Sequence, residues 1–246
     1  VFTERGSPLK IELHKSCFAP DEALGERLNE ICKKYGADFR RYGDFSAPEE
    51  SAHLLYLALH AYNHFAASGV GLRQVCDICL WYERYKDSID TDILCRGLYE
   101  AGAVPFFSAV LRIGRDMLGI DAPIPEAIRG VYEKTDAAPL LRDILDGGVF
   151  GTAEKGRAHS AGVTQNAAAS GRVSIAKTLF PPYGYMKKCY PFLKKCPPLL
   201  PAAWVGRIFG YLFSRKEAGS ARDDLKNARR RTMLINMYTD FEKGRR

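Results

Sequence analysis

Three of the five histidines in this chain fall on one short stretch, "HLLYLALHAYNH". His53, His60 and His64 are spaced seven and four apart. At 100° per residue they lie within about 40° of one another on a helix, with Tyr56 and Asn63 as flanking residues. The i, i+4 pair His60 and His64 has the spacing that metal sites use. However, "HAYNH" lacks the Glu of H-E-x-x-H, and no third ligand is evident. Two other readings stand beside metal binding. One is a pair of core imidazoles hydrogen-bonded to neighbouring helices. The other is a polar stripe lining a pocket, where imidazoles meet a substrate or its phosphates. On the next helix, Arg73 and Asp77 are also i, i+4. Asp77 sits in an otherwise apolar run, so burial is expected, and a buried carboxylate needs a partner. Arg73 supplies one, either as a plain intrahelical pair or in the same pocket as the histidines.

A further candidate lies near the start. In "LKIELHK", residues 9–15, Leu9, Ile11 and Leu13 alternate with Lys10, Glu12 and His14. That is the period-two pattern of a half-buried strand. It places Glu12 and His14 on one face. On residue types alone, Glu12 reads as an exposed strand residue beside Lys10.

The elements that must hold these groups are mostly helical. "DEALGERLNEICKKYG" predicts an amphipathic helix with Leu24, Leu28 and Cys32 on one face and Gly36 as its stop. "RRYGDF" reads as a turn. Ser46 and Glu49 have the spacing of a capping box for the helix that follows, about residues 47–67. That helix is apolar nearly all round, so it belongs inside a bundle. A second buried helix spans about 70–87. "TDILCRGLYEAG", "PFFSAVLRIGRDMLG", a short helix opened by Pro123 and Pro125, and "PLLRDILDGG" complete an antiparallel bundle with short connections. Residues 149–172 predict a long flexible loop. Residues 173–246 predict a basic, Pro- and aromatic-rich region of short helices, ending in a basic helix.

The totals bound the class. The 246 residues, 46% of them hydrophobic, suffice for a sizeable core. No apolar run is long enough to predict a transmembrane segment, and "VFTERGSPLK" does not read as a signal peptide. The chain starts at Val1, which suggests processing or a piece of something longer. The seven cysteines are scattered. Cys76 and Cys79 form a lone C-x-x-C inside a helical pattern and read as small core residues in a reducing, cytoplasmic setting. Charge is uneven: residues 1–150 hold 17 Lys+Arg and 23 Asp+Glu, whereas residues 151–246 hold 19 and 6. The basic part could meet an acidic protein, a nucleic acid or an anionic membrane. "AAWVGRIFGYLFSRK" has the aromatic and basic mix of an interfacial helix. The plainer reading packs Trp204, Ile208 and Phe209 on the bundle.

Taken in order, the strand with Glu12 and His14, then "HLLYLALHAYNH", then "LRQVCDICLW" resemble the uncharacterised nucleotidyltransferase family of bacteria, within the polymerase-beta-like superfamily. "DILDGGVFG" and "FPPYGYMKKCYPFLKKCPPLLPAAWVGRIFGYLF" extend the likeness along almost the whole chain. The resemblance implies a mainly α fold: a helical bundle, residues 17–148, preceded by a residual strand of a mixed sheet, residues 1–16. It implies transfer of a nucleoside monophosphate from an NTP to an unknown hydroxyl acceptor, with Mg²⁺ held by three carboxylates. Glu12 matches the third carboxylate, as catalytic residue and metal ligand. His14, His60, His64, Arg73 and Asp77 would contact nucleotide or acceptor. The first two carboxylates, a D-x-D after a Gly-Gly or Gly-Ser turn, have no match here. "SIDTD", residues 88–92, looks like a helix start, and "RDD", residues 222–224, lies in the basic tail. The resemblance therefore implies a portion of the enzyme that is inert alone. The alternative is a non-catalytic helical binding module with a basic C-terminal surface.

Overall fold

A computed structural model describes residues 2–3, 10–11, 16–19, 24–36, 39–67, 69–147, 183, 186–187, 190–213, 230–231 and 233–240. The described chain is mainly helical. Its centre is α2 (Glu50–Ala67), flanked by α1 (Gly25–Tyr35), α3 (Leu72–Arg84), α4 (Thr91–Ala101) and α5 (Val104–Leu118). Two shorter helices follow, α6 (Glu126–Lys134) and α7 (Ala138–Gly147). Two 3₁₀ turns, Pro191–Lys194 and Pro197–Leu199, lead into α8 (Leu200–Phe213). Residues 233–238 form a last helical segment.

The helices start and stop where local chemistry directs. Asp90, inside "SIDTD", caps α4: its Oδ1 accepts from the N–H groups of Asp92 and Ile93 at 2.9 and 3.0 Å. Gly36 ends α1 by donating to the Cys32 carbonyl at 2.7 Å. Gly102 ends α4 at φ 70°, the left-handed conformation that glycine adopts without strain. A side chain there would also collide with the Asp240 carbonyl, 2.6 Å from where its Cβ would stand.

The capping box expected at Ser46 and Glu49 does not form. Residues 39–42 and 45–48 pair instead as an antiparallel hairpin, β3 (Phe39–Tyr42) and β4 (Phe45–Pro48), with Ser46 opposite Arg41. The two-residue turn has Gly43 at φ 60°, which suits a tight hairpin. The ladder takes the backbone that the cap would have used, so α2 begins later, at Glu50. Of the opening pattern, only Lys10 and Ile11 are among the described residues. Lys10–Ile11 pairs antiparallel with Phe2–Thr3, a strand the sequence did not announce. Glu12, His14 and residues 149–172 lie outside the described residues.

The main core runs through α1 to α7 and is closed by residues 234–238. Leu234, Ile235 and Tyr238 are buried in it. The Tyr238 hydroxyl donates to the Asp136 carbonyl at 2.6 Å and accepts from the Leu140 N–H at 3.2 Å. Arg231 anchors this return. Its guanidinium is 2.5 Å from Asp143, with side-chain exposures of 8% and 14%. It also donates to the Phe65 carbonyl of α2 and lies 4.9 Å from the Phe65 ring centre. Arg230 pairs with Asp146 at 3.1 Å. Part of the basic C-terminal charge is thus neutralised by the acidic bundle of the same chain.

Removing one partner of a buried ion pair leaves the other charge unpaired. Arg231→Ala should therefore lower unfolding stability by about 3–5 kcal/mol. The double change Arg231→Met with Asp143→Leu should cost clearly less. Urea unfolding of the three proteins checks this. Equal losses would show that the pairing itself is not what closes the bundle.

Candidate functional site

The histidine stripe does lie on one helix face, but that face meets two different neighbours. At the start of α2, the His53 ring stacks on Trp81 of α3, with centroids 4.1 Å apart and planes 19° from parallel. Trp81 stacks onward against Tyr85 at 4.4 Å, and its indole N–H donates to the Glu50 carbonyl at 3.1 Å. His53 is therefore part of an aromatic seam that joins the first turn of α2 to the last turn of α3. Burial lowers its pKa.

His60 and His64 meet something else. Their Nε2 atoms are 3.1 Å apart, and the rings are edge to face at 4.5 Å. An N···N hydrogen bond needs one ring to donate and the other to accept, so the doubly protonated pair cannot keep it. Phe18 packs against His60 at 6.4 Å and against Tyr56 at 6.1 Å, and Tyr56 lies 5.6 Å from His60. Asn63, by contrast, is buried within the bundle.

Phe18 brings the N-terminal segment to this place. It is 3% exposed. Asn29 of α1 grips its backbone twice: Asn29 Oδ1 accepts from the Phe18 N–H at 3.0 Å, and Asn29 Nδ2 donates to the Phe18 carbonyl at 2.9 Å. The Ser16 hydroxyl donates to the same carbonyl at 2.8 Å. Cys17 hydrogen-bonds Cys32, whose thiol is pushed up to about 12, first by burial and then by Cys17. Burial, with Cys17 and Cys32 nearby, also raises the Tyr56 phenol. The result is a half-buried patch of two imidazoles, a phenol and two thiols under a pinned segment.

Phe18, Asn29 and Cys17 went unread in the sequence. The available signal was Asn29, a polar residue three before Cys32 on the inward side of α1.

Arg73 and Asp77 are placed differently from expectation. Asp77 is not buried. The pair is 3.9 Å apart with side-chain exposures of 74% and 52%. Among the described residues, their mutual contact is the only polar one they make. The apolar run around Asp77 supplies the buried face, Val75, Ile78, Cys79 and Tyr82, while Asp77 points to water. The intrahelical reading of this pair therefore describes what the structure shows.

The C-x-x-C likewise has a packing role. Burial pushes the Cys79 thiol up to about 12, and its Sγ contacts the Val110 carbonyl at 3.6 Å. A thiol held that high is neutral and unreactive at neutral pH. Among the described residues, no group of three or more His, Cys, Asp or Glu is arranged to hold a metal ion.

What the patch can do follows from its groups. His60 Nδ1 is buried, so the patch can offer an imidazole nitrogen of His64, a phenol and an aromatic face, in partial shelter from water. That set suits a phosphate oxygen or a heterocycle. Glu12 lies six residues before Phe18, so chain length alone tethers it within roughly 22 Å of the Phe18 backbone.

His53 has a consequence for stability. Its folded pKa lies below the ordinary 6.5. Below pH 6.5 the unfolded chain takes up the proton first, so His53 destabilises the fold as pH falls and is neutral to it above. His53→Phe should keep the stack on Trp81 and flatten the fall in stability between pH 7 and pH 5. Urea midpoints at the two pH values check this. An unchanged slope would assign the pH dependence to other groups.

Comparison with known proteins adds a family likeness over part of the chain. Neither a curated protein nor a solved structure matches the chain. A family model matches over residues 1–119, which is narrower than the likeness read along the whole sequence. That span takes in the N-terminal segment, the hairpin, α1 to α5 and every residue of the imidazole patch. Over residues 1–119, the chain is similar to the family described as uncharacterised nucleotidyltransferase.

Proposed function

We propose that residues 1–119 are part of a nucleotidyltransferase that moves a nucleoside monophosphate from an NTP to a hydroxyl acceptor. In that reaction the acceptor oxygen bonds to the α-phosphorus, the bond to pyrophosphate breaks, and the acceptor gives up its proton. The observation that carries the reading is the docking of the N-terminal segment. Phe18 pins it to α1 and α2 beside His60 and His64, inside the span matched by the family. Glu12 and His14 would then approach the imidazole patch from the preceding residues. His60 and His64 would meet the nucleotide as a pair, with His64 donating to a phosphate oxygen and His60 holding the His64 ring in place. Arg73 and Asp77, facing water as an ion pair, are left with at most a place at the rim.

The described residues of the imidazole patch do not suit Mg²⁺. Magnesium takes hard oxygen ligands, and the donors gathered here are imidazoles and thiols. Glu12 is the carboxylate this reading assigns to the metal. The reading also requires a carboxylate pair beyond those in this sequence.

Two measurements test the proposal. In the natural protein, Glu12→Ala should lower transfer from an α-labelled NTP by about 100-fold or more, the scale of losing a charged group that acts at the reacting phosphate. Calorimetric NTP binding should weaken about tenfold in His60→Ala or His64→Ala, one charge-assisted hydrogen bond's worth. Arg73→Ala should leave it unchanged. Full activity in Glu12→Ala removes Glu12 from the mechanism. A chain that binds no NTP favours the second reading, a helical binding module.

A further inference from the structure

The described residues between 183 and 206 hold a small core of their own. Met186, Leu193 and Ala203 are buried there, with Tyr183, Tyr190, Leu200 and Trp204 packed around them. Tyr183 donates to the Leu193 carbonyl at 2.9 Å, and the Tyr190 N–H to the Met186 carbonyl at 2.8 Å. Trp204 thus packs on this local cluster and not on the bundle core, which corrects one part of the sequence expectation. The side chains of Ile208 and Phe209 lie outside the described residues.

What this cluster leaves outside is unusual. Of the side chains from Pro197 to Gly206, only the Trp204 indole carries a polar atom. Leu199, Pro201, Ala202, Val205 and Gly206 are all exposed. Leu199, Ala202 and Val205 follow one another at i, i+3 spacing, so they share a side of α8 and the turn before it. Leu199 and Val205 are 48% and 52% exposed, and Phe192 in the preceding turn is 44% exposed. A helix face covering a core would turn these residues inward and show polar residues to water.

Charge identifies the partner. From Lys155 to Lys216 the sequence carries eleven Lys and Arg and no Asp or Glu. Lys194 and Lys195 flank the apolar face and are exposed. Arg230 and Arg231 are neutralised by Asp146 and Asp143, whereas Lys194 and Lys195 form no ion pair with a described residue. An apolar strip whose charged neighbours along the sequence are all cations matches a surface that is anionic at its plane and apolar beneath. A nucleic acid would use the cations but leave the strip in water. The segment would lie on such a surface and not cross it. The 14 residues of α8 reach about 21 Å, short of a bilayer core. No helix among the described residues is long and apolar enough to span one.

We propose that residues 190–206 form a docking surface for an anionic phospholipid interface, with Leu199, Ala202 and Val205 entering the acyl boundary and Lys194 and Lys195 meeting the headgroup phosphates. This inference is independent of the transferase reading.

Flotation of the whole chain with vesicles tests it. At low salt, the chain should float with phosphatidylcholine–phosphatidylglycerol vesicles and stay down with phosphatidylcholine alone. Leu199→Asp with Val205→Asp should cut partition at least about tenfold with an unchanged melting temperature, because both sites are exposed. Lys194→Glu with Lys195→Glu should cut it by about fivefold per cation or more. Brominated acyl chains should quench part of the tryptophan emission, and Trp204→Phe should remove that quenching. This readout also serves if the aspartate variant melts early. The proposal is overturned if the chain ignores anionic vesicles, if binding survives in the folded Leu199/Val205 variant, or if brominated lipid quenches nothing.

Discussion

An eighteen-residue helix that is apolar nearly all round has to be wrapped, and the rest of this structure follows from wrapping α2. Ten of its residues are buried. Helices α1, α3, α4 and α5 pack around it, and the hairpin covers its start. At the contact with α4, Gly97 faces Leu55; a Cβ at that glycine would stand 2.6 Å from a Leu55 methyl. Contact that tight leaves no room for another side chain, so the position of α4 is set by α2 and not by its own loops. The remaining open side of the bundle is closed by the C-terminal return, held by Arg231 on the Phe65 carbonyl and Asp143.

This closure changes the meaning of the charge asymmetry. A −6 half joined to a +13 half suggests an external anionic partner on totals alone. The fold uses some of that imbalance internally, since Arg230 and Arg231 reach back across the chain to Asp146 and Asp143. The buried pair is held by charge in a place where water is scarce, so it demands both partners. What remains for an outside partner is the acid-free stretch around residues 183–206, which has its own small core and shows an apolar face. Net charge could not separate these two uses.

The imidazole patch owes its character to the same packing. The face of α2 that carries His53, His60 and His64 is not filled by one neighbour. Trp81 takes His53 into a stack between helices, which makes it structural. Phe18, held by Asn29, covers His60 and Tyr56 only partly. A short segment gripped at its backbone is a weaker cover than a helix, so His60 and His64 keep some access to solvent. That is where a nucleotidyltransferase reading of residues 1–119 finds room for a ligand.

Much of this was legible in the sequence, for a local reason. Helix periodicity, the helix start at "SIDTD" and the glycine stop at Gly36 depend on residues within a turn or two of one another, so the order of residues encodes them directly. The one-face alignment of the histidines is legible for the same reason. What only the tertiary structure decided involves partners far apart in the chain. Ser46 became a strand residue because a hairpin ladder outcompeted a helix cap. Asp77 turned to water because its neighbours on α3 supplied the buried face. His53 and His60 parted company because Trp81 and Phe18 approached α2 from different elements. Arg231 found Asp143 and Phe65 across most of the sequence. Each is settled by which surfaces meet when the core closes, and a single helix's sequence carries no record of its neighbours.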